Sequence, residues 1–201
     1  MAISIIIGIP TGILSAVHVG RWFDQFGKIF AILGQAMPVF WIGLLLILIF
    51  GVQLRLLPVA GMGDWRYIIM PAFTLGWFFT ASLLRLTRSA MLDVLDSDYI
   101  KMARIKGLPE RSVILKHAFK NASIPIVGLA TLNFISLLMG TVITETVFAW
   151  PGVGRLVVES VNARDFPMIQ ASVLIFSFMF VSANLLVDIF YGYLDPRIRY
   201  G

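Results

Sequence analysis

From Ile29 to Val52 the chain carries no charged side chain. An α-helix needs about 20 mainly apolar residues to cross the roughly 30 Å hydrocarbon core of a bilayer. No other stretch limits the fold as much, because backbone groups in lipid must be satisfied within a helix or a closed barrel. Further apolar stretches lie at about 2–17, 67–84, 122–144 and 166–187. This spacing predicts an all-α, polytopic transmembrane helix bundle of five spans. Composition agrees: 59% of residues are hydrophobic, 13% are charged and the mean hydropathy is +0.89. Soluble domains carry about 25% charged residues. Pro38 predicts a kink inside the second span. Gly8 and Gly12 have two readings: a close approach of another helix or a glycine-rich helix end.

The charges that remain are unevenly placed. If the spans alternate, one side of the membrane receives residues 18–28, 85–121 and 195–201, with twelve of the sixteen Lys and Arg. The other side receives Arg55, Arg66, Arg155 and Arg164. The positive-inside rule then puts residues 96–125 and the C-terminus in the cytoplasm and Met1 outside. It also accounts for the net charge of +5 without nucleic acid as a partner. With no cysteine there is no disulfide framework or thiolate metal site. The N-terminus lacks the basic region of a signal peptide, and its hydrophobicity continues well beyond one. An outside Met1 leads to the expectation that an earlier helix precedes this sequence in the complete protein.

Between the third and fourth spans lies a hydrophilic island, Asp96 to Pro125. It carries Lys101, Arg104, Lys106, Arg111, Lys116 and Lys120. Ser97 or Asp98 can cap a helix start. Tyr99, Met102, Ala103 and Lys106 recur at i, i+3, i+4, i+7 and so share one face. Gly107 suits the left-handed position that ends a helix. Pro109 and Glu110 suit the first turn of the next helix, and Val113, Ile114, Ala118 and Phe119 give that helix an apolar stripe. The predicted shape is a helix–glycine–helix elbow at the membrane surface. On physical grounds alone it can serve as a site for anionic headgroups, as a solvated loop, or as an element that enters a groove in a partner protein.

The residues of this elbow resemble a known family. Asp98-Tyr99-Ile100, Ala103-Arg104, Lys106-Gly107-Leu108, Lys116-His117-Ala118, Lys120-Asn121-Ala122 and Ile124-Pro125 are similar to the "EAA" loop of bacterial ABC-importer permeases. The dipeptide/oligopeptide/nickel branch is the nearest form. Further resemblance lies in Gly8-Ile9-Pro10 with Gly12, in Glu145-Thr146-Val147-Phe148 with Trp150-Pro151-Gly152, Gly154 and Arg155, in Arg164-Asp165 with Pro167, and in Leu194 to Tyr200. The namesake Glu-Ala-Ala is Lys101-Met102-Ala103 here. The resemblance implies a type I ABC-importer transmembrane domain over residues 1–201, incomplete at its N-terminus. It implies a permease subunit of an ATP-driven importer, with di- or oligopeptides as its solutes, and no enzyme activity of its own. The coupling loop, 96–125, would dock on a cytoplasmic ATPase through Tyr99, Ala103, Arg104, Gly107 and Leu108. The implied partners are a second, homologous permease subunit, two cytoplasmic ATPase subunits, an extracytoplasmic solute-binding protein and the lipid bilayer of the bacterial inner membrane. No cofactor belongs to the chain itself. Gly27-Lys28 lacks the rest of a phosphate-binding loop, so ATP would be bound by the partner subunits.

Polar residues at or within spans are candidates for the translocation path. Glu145 fits an external mouth or a headgroup-level carboxylate. Asn133 and Asn184 fit hydrogen bonds between helices or a pore lining. Asp188 fits the interface. His18 and His117 are too far apart in context to argue a metal site, and no nucleophile–base pair suggests catalysis. Two other functions compete with the importer subunit. A secondary transporter driven by an ion gradient predicts mid-span charges and internal repeats, and neither is evident. A truncated, non-functional membrane fragment is the third. Peptide, nickel chelate and glutathione all remain open as solutes.

Overall fold

The computed structural model describes residues 1–138 and 142–194. The C-terminal block 195–201, with Arg197 and Arg199, and the side chain of Asp188 lie outside the described residues. The described residues form helices and turns without a strand, an all-α bundle. Its central post is α4, Arg66–Leu95, whose 30 residues span about 45 Å at 1.5 Å per residue.

Against α4 packs α1, Ala2–Val17. Its buried side is a row of small residues, Ser4, Gly8, Gly12 and Ser15. A Cβ at Gly12 would come within 2.6 Å of Thr87 Cβ and 2.8 Å of the Leu84 carbonyl. Close approach of the two helices is therefore the role of these glycines. Ser4 Oγ adds a hydrogen bond to the Gly76 carbonyl at 3.3 Å.

The second span expected at 29–52 is not one helix. α2 runs Trp22–Ala36, and α3, Val39–Leu46, continues as a π-helical stretch, Ile47–Gln53. The two halves meet at 101°. Pro38 is the reason: it has no N–H to continue the ladder and disfavours helical backbone in the residue before it. Met37 is accordingly extended, with φ −85° and ψ 126°. Each half is then held separately. Gly34 of α2 lies so close to Ala81 that a Cβ would collide, and Gly43 of α3 lies against Val147 and Phe148.

Other boundaries also differ from those expected. The third span, placed at 67–84, continues to Leu95, so Arg85 and Arg88 are helical rather than a terminus. No glycine or proline interrupts Leu84–Leu95, and Arg88 has a buried partner. The fourth, placed at 122–144, follows without a break from the elbow: Glu110–Ser112 (α6), a π-helical stretch Val113–Ala118, and α7, Phe119–Leu138. Pro125 is accommodated inside α7 rather than starting it. The polar segment 145–167 holds the end of α8, Val142–Val147, and all of α9, Val153–Ala163. α10, Phe166–Leu194, extends past residue 187.

Among the described residues, three helical stretches are long and apolar enough to cross a membrane, and the bent pair adds a fourth. α1, at 16 residues, is a shorter apolar helix. α10 presents Leu174, Phe178 and Leu186 outward, as a helix facing lipid or a partner does.

Candidate functional site

The elbow begins at Asp96, where α4 ends, and turns into α5, Asp98–Ile105. Ser97 sits at the N-cap position, but its hydroxyl donates back to the Val94 carbonyl instead of accepting from the first amides of α5. The end of α5 follows the expected glycine logic closely. Gly107 has φ +75°, its N–H donates to the Arg104 carbonyl at 2.9 Å, and the Leu108 N–H reaches the Ala103 carbonyl at 3.4 Å. These two bonds make the Schellman motif that terminates helices at a left-handed residue. Among the described residues, nothing lies within 4 Å of a Cβ built at Gly107. Backbone conformation alone therefore favours glycine there.

Two contacts hold the elbow shut. Arg104 donates from Nε and an Nη to the two Glu110 carboxylate oxygens, at 3.2 and 2.8 Å. This fork of charge-assisted bonds bridges the turn from α5 to α6. It also raises the pKa of the guanidinium above its ordinary value. Asn121 Nδ2 donates to the Tyr99 hydroxyl at 3.0 Å and to the His117 carbonyl at 3.1 Å.

The faces of α5 fall differently from the expected stripe. Ile100 is fully buried and Ala103 half-buried, while Tyr99, Met102 and Lys106 are exposed. Ile100 was absent from that stripe, yet it reaches the core that Leu83, Met91, Val113, Ala118, Ala122 and Ile126 form. The core lies on one side of α5, and burial follows it rather than the periodicity read in isolation. The outer face carries Tyr99, Met102, Ile105 and Leu108, with Ile105 79% exposed. Of the five candidate docking residues, Tyr99, Gly107 and Leu108 lie at this outer surface. Ala103 sits in the seam, and Arg104 is engaged with Glu110.

The candidates for a translocation path are not brought together. Asn133, buried in α7, donates to Ser82 Oγ of α4 at 3.3 Å. Asn184 donates to the Phe180 carbonyl of its own helix at 2.9 Å. Glu145, in α8, accepts the Arg155 N–H at 2.9 Å through Oε2. Arg155 is the third residue of α9, whose N-cap is Gly152. Glu145 thus satisfies an amide that the N-cap glycine has no side chain to reach. A Cβ at Gly152 would collide with the carboxylate, which explains the glycine in Trp150-Pro151-Gly152.

Sequence reading missed a second cluster. Asp24, within the segment 18–28 expected between the first two spans, is fully buried in the first turn of α2. Its carboxylate accepts from Ser15 Oγ at 2.8 Å, from the Gly20 N–H at 2.9 Å and from Arg88 Nε at 2.6 Å. Lys28 Nζ lies 2.9 Å away. α1, α2 and α4 are joined here on the side of α4 that leads into the elbow. The signal in the sequence was a lone acid beside an apolar helix with basic residues 4 and 64 positions on. Only the fold brings the farther one into contact.

Comparison with known proteins identifies the family. A family model described as "Binding-protein-dependent transport system inner membrane component" matches residues 8–200. The chain is 44% identical over 200 residues to the glutathione transport system permease protein GsiC of Escherichia coli strain K12. It is 46% identical over 200 residues to the protein of that name from Pectobacterium atrosepticum. Both alignments cover 100% of this chain and 65% of the relative. The Salmonella paratyphi A protein is 45% identical over 197 residues, 98% of this chain and 64% of the relative. The chain therefore spans about two-thirds of the length of these curated relatives, slightly under that fraction. From the family match and the apolar helices together, the chain is a multi-pass inner-membrane protein that belongs to the binding-protein-dependent transport system inner membrane components.

Proposed function

We propose that this chain is the membrane-spanning part of a permease subunit in an ATP-driven importer, with small peptides as solutes. The observation that carries the reading is the elbow. It is rooted in the core through Ile100 and Val113, braced by Arg104 and Glu110, and still leaves an apolar outer face on α5. An exposed apolar face on a short, braced element suits a groove in another protein better than solvent. Relatives named as glutathione transport permeases support a peptide-like solute, glutathione being itself a small peptide. Separate cytoplasmic ATPase subunits supply the energy. An extracytoplasmic binding protein delivers solute, and a second, homologous permease subunit completes the pathway.

In this reading residues 96–125 and the C-terminus face the cytoplasm. Tyr99, Ala103, Arg104, Gly107 and Leu108 govern coupling: Tyr99 and Leu108 by contact, the other three by holding the shape of the elbow. ATPase closure around ATP moves α5, and the shared core carries the movement to α4 and α7. Coupling requires that the elbow bind the open and closed ATPase pairs with different free energies. Glu145, Asn133 and Asn184 remain candidates for the solute path.

The test is peptide-stimulated ATP hydrolysis and uptake in proteoliposomes holding the permease pair, ATPases and binding protein. Gly107→Pro and Ala103→Arg are expected to abolish both while the permease still folds. Normal uptake in both variants would overturn the docking role of the elbow.

A further inference from the structure

Beside Glu145 lies a cavity of about 270 Å³ between α4, α8 and the turn before α9. Pro71, Ala72 and Leu75 form its α4 wall, and Thr144, Glu145 and Trp150 face them. A second cavity, of about 350 Å³, shares Leu75 and Thr144 with the first and reaches Val39, where α3 begins after the 101° bend. Leu75 and Thr144 line both cavities.

The chemistry of the first chamber is one-sided. Among the described residues, no Lys or Arg lines it. One oxygen of Glu145 accepts the Arg155 N–H, and the other has no hydrogen-bond partner among the described residues. The Arg155 side chain is turned to Glu159, at 2.7 Å. Thr144 is 3% exposed, and its hydroxyl is without a partner among the described residues. Pro71 has no N–H, so α4 leaves the Tyr67 carbonyl without its i+4 donor. Trp150 supplies an indole, the aromatic surface best suited to a cation. A half-buried carboxylate and an indole, with no basic residue among the described lining, complement a primary ammonium group. The α9 amide uses only one of the two carboxylate oxygens.

We propose that this chamber binds the terminal ammonium group of a small peptide, with Glu145 as its counter-charge and Trp150 stacking over it. The proposal rests on the importer reading for its purpose, though not for its test. Glu145 then has two duties that a single substitution separates. Glu145→Gln keeps an oxygen for the Arg155 N–H and nearly the same volume, and removes only the charge.

The experiment is equilibrium binding of radiolabelled trialanine and N-acetyltrialanine to the chain in lipid nanodiscs. A charge-assisted contact predicts that the wild type prefers the free amine by about tenfold. In Glu145→Gln that preference falls to about twofold or less, with an unchanged thermal midpoint as evidence that the α9 cap persists. Trp150→Leu leaves the carboxylate in place and lowers the preference a few-fold. Equal binding of the two peptides by the wild type, or an undiminished preference in both variants, overturns the proposal and leaves Glu145 as a helix cap only. ATP-driven uptake by the assembled transporter is read separately. Uptake without the preference removes the ammonium site and keeps the importer, and the preference without uptake does the reverse.

Discussion

Asp24 depends on Arg88 for its place in the interior. With the guanidinium removed, the fully buried carboxylate keeps only Ser15, the Gly20 amide and the partly exposed Lys28. Breaking a buried pair from one side costs about 3–5 kcal/mol, because a charge is left uncompensated. Arg88→Ala is therefore expected to lower stability by about 3 kcal/mol, seen as a reduced thermal midpoint in detergent. Asp24→Asn combined with Arg88→Met should lose clearly less, since neither charge is then stranded. Equal losses in the single and double variants would show that Arg88 acts through packing instead. The same logic explains why an arginine can lie within a long apolar helix: the helix continues because the charge is met by a neighbour in the fold.

At the scale of the element, the elbow is a sequence-local object with a tertiary anchor. Its turn follows from Gly107, Pro109 and the charge pair Arg104–Glu110, all within a few residues. Gly107→Ala meets no steric neighbour among the described residues, so its expected cost is that of the left-handed backbone, about 1 kcal/mol. Gly107→Asn should cost less, because asparagine tolerates that conformation better. Hydrogen exchange at the Gly107 and Leu108 amides checks this: faster exchange in the alanine variant than in the asparagine variant is expected, and the reverse order would refute it. Both ends of the turn were legible from local chemistry. Which face of α5 is buried was not, because Ile100 is one apolar residue among several until α4 and α7 are placed beside it.

For the molecule as a whole, the core ties the elbow to the bundle, so a change deep in the seam and a change on the outer face should separate. Ile100→Ala opens a cavity under the elbow and is expected to cost about 2–5 kcal/mol, lowering the thermal midpoint. Met102→Ala, on the exposed face, should leave that midpoint unchanged while weakening ATPase capture in a pull-down. If Ile100→Ala is as stable as wild type, the elbow is not rooted in the core as described. The sequence alone determined the all-α membrane class, since charge-free stretches of that length have few other ways to satisfy their backbone. It also determined the glycine elbow, whose signals lie within one or two turns of each other. It also marked the kink at Pro38, a local effect of the missing N–H. Only the tertiary structure decided where the two halves of that span pack, the passage of α4 through Arg88, the burial of Asp24 and the setting of Glu145. Each depends on residues far apart in sequence meeting at one place, Arg88 with Asp24, Gly34 with Ala81, and α4 with Glu145. Periodicity records which face of a helix is apolar, but not which neighbour arrives to cover it.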